Sequence, residues 1–496
     1  MLEHCCPARP ARPDIRHSGL TDPKARQSHR ARLHTGISMR LLDTTTFELH
    51  SREQEYFKSE GYAILSHRWV GVEITFEQIS RHSAELRNAG AWQMPTPQLE
   101  KIRGACLTAR NLGFRWMWID NCCINKSSTT EESESINSMF KWYRDAQVCI
   151  TYISDVEMRS PPLPPRQVGI QTTPTGPPNH TIFNRHDGRT PSEWFSRGWT
   201  LQELLAPHDM RFFDMNWNYM GTKTSLAREI QAITRIDATY LTGECDFRQA
   251  CIAVKMSWLS GRTTTRQEDI AYSMLGLFNI TMSPQYGEGQ RAFMRLQQQL
   301  LSSTTDESLF AWRMPDPQAG QRLGILPSET DWHDDEWGLL APCPSWFSDC
   351  NNLITTGGPR IERPSNIFQP ARQGVQIPIM PVPGNTTYQA IWIGAQLTLV
   401  GALPAYFLLK HHSKKRIMKG IVRALNVWIV DDTGKMGAVA ITLRPTDKEH
   451  LGPKTVDLQK CKRVAASVRG VCYKYPKKDV VVGQGVVVQP EVRYGD

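Results

Sequence analysis

Tyr62-Ala63-Ile64-Leu65-Ser66-His67-Arg68 is the stretch whose reading decides the fold. Its first five residues have the apolar run of a buried strand, and the polar triplet Ser66-His67-Arg68 ends it. Downstream, Leu99, Ile102, Cys106, Ala109 and Leu112 recur at helical spacing. Trp116-Met117-Trp118-Ile119 is a second strand, closed by Asp120-Asn121. Acids at 131, 132 and 134 favour the start of a helix, whose stripe is Ile136, Met139, Phe140 and Tyr143. Val148-Cys149-Ile150-Thr151-Tyr152-Ile153 is a third strand and Met210-Arg211-Phe212-Phe213 a short fourth. Strands alternating with helices predict an α/β fold with a parallel sheet and helices on both faces. Ligands of such sheets sit beyond the carboxyl ends of the strands, which places Ser66, His67, Arg68, Asp120 and Asp155 at the rim.

A second stretch carries the chemistry. In Ser196-Arg197-Gly198-Trp199-Thr200-Leu201-Gln202-Glu203-Leu204, the residues Leu201, Leu204 and Leu205 form a core-facing helical stripe. Trp199 and Glu203 fall four apart on the opposite arc, predicting an aromatic face and a carboxylate that both look outward toward the rim. A solvated helix face has the same pattern, so Glu203 reads equally as an exposed acid or a partner of Arg197. Trp199 reads as core or as a pocket wall, Arg68 as a phosphate ligand or a structural ion-pair member, and Asp120 as a site group or a turn-former. His67, with no cysteine or serine at motif spacing, reads as structural.

A chain of 496 residues exceeds one hydrophobic core, so two or three domains are expected. Residues 1–38, with seven Arg/Lys against three Asp/Glu and no periodicity, read as a disordered basic segment. Residues 39–215 read as the α/β domain, interrupted at 157–193 by an insertion holding eight prolines. Residues 216–319 read as mainly helical, with stripes at Ile270, Met274, Leu275, Phe278 and at Phe293, Leu296, Leu300, Leu301. Residues 320–496 read as a β-rich module. The uncharged window 390–409 contains Gln396, Gly401 and Pro404, which suits soluble strands better than a membrane span.

The net charge of +9 is concentrated at the start and at 410–423 and 454–478, but no recognition motif accompanies it, which disfavours nucleic acid. Twelve cysteines form no C-x-x-C pair and no export signal precedes them, predicting a reducing, cytoplasmic setting without a zinc site. Phosphate-binding G-x-x-x-x-G-K-[ST], G-x-S-x-G and H-E-x-x-H are missing from the sequence.

Four blocks in order resemble the fungal heterokaryon incompatibility (HET) domain: residues 62–69; Trp118-Ile119-Asp120-Asn121-Cys122-Cys123-Ile124-Asn125-Lys126; the segment from Ser138 to Ala146; and Arg197-Gly198-Trp199-Thr200-Leu201-Gln202-Glu203. The stretch from Met256 to Trp312 resembles the region that commonly follows it. Many members carry Gln where this chain has Lys126. HET domains are in turn similar to the TIR fold, a flavodoxin-like α/β module, and Trp199, Leu201, Glu203 and Leu204 resemble the block that carries the catalytic glutamate of plant-type TIR NAD hydrolases. The resemblance implies an effector of vegetative incompatibility and programmed cell death that self-associates and answers a non-self partner. It implies NAD as a candidate substrate, with no cofactor and no metal. Catalysis would fall to Glu203, and substrate binding to Ser66, Arg68, Asp120, Arg197 and Trp199. The non-enzymatic alternative is an adaptor that signals by assembly, with Glu203 structural.

Overall fold

In a computed structural model of the chain, the described residues are 38–88, 96–158, 182–323 and 336–355, with strand segments at 369–371, 374–377, 421–430, 436–445, 460–464, 470–472 and 486–488. They fall into two compact units. The first takes Met1–Ser192, Ala206–Ala227 and Leu241–Cys245, and the second Glu193–Leu205, Arg228–Tyr240 and Asp246–Asp496.

The first unit is built on a seven-stranded sheet. Strands β1 (Ser38–Asp43) and β2 (Leu49–Glu53) form a hairpin. Its turn is set by the Asp43 carboxylate, which accepts from the backbone N–H of Thr45 at 2.9 Å and of Thr46 at 3.1 Å. Helix α1 (Gln54–Glu60) leads into β3 (Tyr62–His67), in which every residue is buried. Helices α2 (Phe76–Asn88) and α3 (Pro97–Asn111) cross to β4 (Trp116–Trp118); α4 (Asp120–Cys123) and α5 (Thr129–Asp145) cross back to β5 (Val148–Tyr152). The strands β6 (Met210–Phe213) and β7 (Tyr219–Thr222) complete the order β2-β1-β4-β3-β5-β6-β7.

The four strands read from sequence, β3 to β6, pair in parallel. The expectation of a parallel sheet is corrected at both edges: β1 pairs antiparallel with β4, and β7 antiparallel with β6, so the sheet is mixed. At β7 the short connection from β6 imposes this, because parallel neighbours need a long crossover and adjacent hairpin strands do not. The crossover from β3 to β4 and the one from β4 past β3 to β5 run in opposite directions. Right-handed connections therefore lay α3 and α5 on opposite faces, while the short α4 at the end of β4 packs against α2. Helix α5 is fixed to β3 through the Tyr143 hydroxyl, which donates to the Leu65 carbonyl at 2.7 Å, and through the Tyr62 hydroxyl, which donates to the Trp142 carbonyl at 2.6 Å.

In the second unit, a 3-10 turn at Glu193–Ser196 precedes α6 (Thr200–Leu205). Short helices follow: α7 (Ala227–Thr234), the first three residues of α8 (Ala238–Thr242), α9 (Ile252–Leu259), α10 (Asp269–Tyr272) and α11 (Leu275–Phe278). Helix α12 (Arg291–Ser303) is longer and buries Phe293, Leu296, Leu300 and Leu301. The stripe expected over 270–278 is divided between α10 and α11. Beyond residue 320 the described segments include eight strands of one sheet. Among the described residues no helix is long and apolar enough to cross a membrane. The window 390–409, the segment 1–37 and most of the proline-rich insertion lie outside the described residues.

Candidate functional sites

The crossover that leaves β3 goes to β4 on one side, and the crossover from β4 arrives at β5 on the other, so this doubly wound sheet opens a crevice at the carboxyl ends of β3 and β5. Ser66 and His67 end β3, in register with Thr151 and Tyr152 of β5. Ser66 is fully buried and Arg68 half-buried. Asp120 opens α4 just past β4. Its carboxylate is a hub: Oδ1 lies 2.9 Å from His67 Nε2, and Oδ2 accepts from the Trp69 indole N–H at 2.9 Å. The Lys126 ammonium sits 3.6 Å from the centroid of the Trp69 ring, a cation–π contact. Burial alone would raise the Asp120 pKa. The hydrogen bond and charge of His67, then Lys126 and Trp69, outweigh it and hold the carboxyl well below the usual carboxylate range.

A depressed carboxyl pKa contributes stability above the unfolded value and loses it as pH falls through the folded one. Asp120→Asn is therefore expected to cost about 1–3 kcal/mol at neutral pH, the range for hydrogen bonds to a charged group. The gap between variant and wild type should narrow as pH drops below about 4. Urea unfolding of both proteins across that range checks it; a gap independent of pH would remove the ionised hub.

Beneath this rim lies a buried ion pair. Glu73 Oε1 accepts from Lys101 Nζ at 2.6 Å and from the Val70 backbone N–H at 3.0 Å, and Oε2 from Asn121 Nδ2 at 3.4 Å. Both charged side chains are almost wholly covered. Burial pulls the Lys101 ammonium below its ordinary pKa, and Glu73 opposes the shift. The pair ties the loop after β3 to α3 and α4.

Helix α6 in the second unit is anchored differently. The Gly198 N–H donates to the Thr263 carbonyl at 2.9 Å, and the Thr263 N–H returns a bond to the Ser196 carbonyl at 2.7 Å. A Cβ on Gly198 would lie 2.5 Å from Thr264 Cγ2, so only glycine allows this approach. Arg262, 7% exposed, donates from Nε to the Trp258 carbonyl at 3.2 Å, and from Nη1 to the Arg197 carbonyl at 2.8 Å and Thr200 Oγ1 at 2.9 Å. Burial draws its pKa down to about 9, against the opposing charge of Glu203. Arg262 Nη2 and Gln202 Nε2 are buried donors without an acceptor.

Glu203 itself is only 7% exposed. The outward-looking carboxylate expected from helical spacing is thus corrected. With six residues α6 makes fewer than two turns, and all six are buried. Trp199 and Arg197 are half-buried, and Arg197 Nη2 donates to Thr265 Oγ1 at 2.9 Å.

The structure therefore brings Ser66, Arg68 and Asp120 to the ends of two neighbouring strands in the first unit. Arg197, Trp199 and Glu203 share one short segment of the second. Cys122 and Cys123 are buried in α4. Sequence reasoning did not single out Trp69, Glu73, Lys101 or Arg262, and it read His67 as structural. Trp69 and Lys126 stood in two of the quoted blocks, and that membership is the signal that was available.

The model of the heterokaryon incompatibility protein (HET) family matches residues 62–203. The vegetative incompatibility protein HET-E-1 of Podospora anserina is 36% identical over 284 residues, covering 55% of this chain and 19% of that relative. The chain thus spans about a fifth of the length of the curated relative it matches. No solved structure matches.

Proposed function

We propose, from the premise that the chain carries a HET domain over residues 62–203, that it acts in vegetative incompatibility and that its chemistry is NAD hydrolysis in the cytoplasm. The observation that carries the chemistry is the buried polar group around α6: the Glu203 carboxylate, with Gln202 Nε2 and Arg262 Nη2 lacking acceptors. Buried donors left unpaired cost free energy, and in this reading the acceptor groups of the substrate relieve that cost.

The nicotinamide–ribose bond breaks with its electron pair going to the ring nitrogen, so the pyridinium leaves neutral and needs no general acid. Positive charge develops on the ribose, and a carboxylate beside it lowers that charge's energy. Water then adds at the anomeric carbon and releases a proton. Glu203 supplies the carboxylate in this reading, Trp199 walls the nicotinamide, and Arg197 takes the pyrophosphate, for which a guanidinium fork is suited.

With purified full-length protein and NAD, Glu203→Ala is expected to lower nicotinamide release about 100-fold or more, the scale for losing one electrostatic stabiliser. Amide exchange of α9 and α12 reports whether the variant keeps its fold. Equal release from wild type and a folded variant would take Glu203 out of the reaction.

The second reading is assembly without chemistry, favoured by the burial of Glu203 and by the opposing charge it sets against Arg262, which bonds to Arg197 and Thr200. Concentrated wild-type protein that self-associates in sedimentation yet releases no nicotinamide decides for it.

A further inference from the structure

At the carboxyl ends of β3 and β5 the chain supplies a flat ring of its own. Tyr152 closes β5, in register with His67 of β3. On its ring stacks the indole of Trp217, with centroids 4.6 Å apart and planes 24° from parallel. Trp217 stands in the turn between β6 and β7 and reaches α3, where Gly104 receives it. A Cβ at Gly104 would collide with Nε1 and Cε2 of the indole, so bare backbone forms that wall. Glycine inside a helix costs stability, and close approach of a ring is what it permits here.

The turn that carries Trp217 is firmly built. The Asp214 carboxylate, fully buried, accepts from the backbone N–H groups of Met158, Asn216 and Asn218 and from Asn218 Nδ2, at 2.8–3.0 Å. The Tyr152 hydroxyl donates to the Met215 carbonyl at 3.0 Å. Within this frame Trp217 has φ 62°, in the left-handed region that bulky residues avoid. Such outliers gather at ligand clamps and switches. The side chain is only half-buried, so it can swing into solvent by rotation about its own bonds while the turn stays in place.

We propose that Trp217 is an internal plug in a slot for flat heteroaromatic rings, walled by Tyr152 and Gly104. Ligands of a doubly wound sheet bind at this end, and stacking on an aromatic face accepts any such ring. A purine or pyridine displaces the indole and takes its place on Tyr152. Because the slot is open only while the indole is out, every ligand's affinity is reduced by that fraction. All the residues involved belong to the first unit, and neither Glu203 nor the hydrolysis proposed above is required.

Calorimetric titration of the full chain with adenosine, and with cyclohexanol as a saturated ring, tests it. Trp217→Gly is the informative variant, because glycine suits φ 62° and leaves the turn unstrained. It is expected to bind adenosine at least about tenfold more tightly than wild type, and cyclohexanol more weakly than adenosine. Adding Gly104→Leu should refill the slot and abolish the gain. Adding Tyr152→Leu should weaken adenosine about tenfold, whereas Tyr152→Phe should retain it. Amide exchange of β5 and β6 verifies that each variant is folded. Trp217→Asn, which also tolerates the left-handed region, repeats the test should glycine loosen the turn. Adenosine affinity unchanged by Trp217→Gly overturns the proposal. So does a gain that survives Gly104→Leu, which would place the ring elsewhere. Equal affinity for adenosine and cyclohexanol in Trp217→Gly overturns it too, leaving only a hole made by the deletion.

Discussion

Lys101→Met is expected to destabilise the first unit by about 3–5 kcal/mol, the cost of leaving one member of a buried ion pair alone. Methionine keeps most of the aliphatic stem, so little packing is lost and the effect isolates the charge. Glu73 would then remain among Val70 N–H and Asn121 Nδ2 with no cation to balance it. Two compact units make a single melting temperature an unsafe readout. Amide exchange of β3 and β4 is the better one, and it should accelerate by roughly two to three orders of magnitude. Adding Glu73→Leu should return most of the loss, because a buried pair replaced as a whole is often close to neutral. A single variant that costs under about 1 kcal/mol would mean that water reaches the pair.

Arg262→Met should loosen the second unit to a similar degree. One guanidinium satisfies the Trp258 and Arg197 carbonyls and Thr200 Oγ1. Its removal leaves those acceptors buried, with Glu203 deprived of an opposing charge, for a combined loss of about 3–5 kcal/mol. Arg262→Lys should rescue little, since an ammonium cannot reproduce a fork that spans three acceptors. Exchange of the Gly198 and Leu201 amides and a thermal scan read the effect. Normal protection at Gly198 in Arg262→Met would show that the backbone bonds to Thr263 suffice alone.

The parallel heart of the sheet was legible because β3, β4 and β5 are unbroken apolar runs separated by helical periodicity. Strand direction at the edges was not. Leu41 and Leu42 mark β1 as apolar, but only the five residues between β1 and β2, and between β6 and β7, reveal a hairpin rather than a crossover. Placement of Asp120 at a strand end followed from the same pattern. Its bonds to His67 and Trp69 did not, since they join residues 53 and 51 apart through tertiary structure alone. Glu203 shows the limit most clearly. Helical spacing divides a helix into faces by local sequence, and it is silent about a distant segment such as 258–265 covering the polar side.

The way the chain is shared between the two units also sets what can be inherited or excised as a piece. The family match begins at Tyr62 and ends at Glu203, yet β1, β2, β6 and β7 all lie outside it. A fragment cut at those limits would keep three of the seven strands, with β4 and β5 stripped of their outer neighbours and left as bare, sticky margins. During synthesis the ribosome must deliver Thr222 before that sheet can close. The matched stretch is thus shorter than the sheet it belongs to, and a gene segment that moves this sheet must reach from 38 to 222.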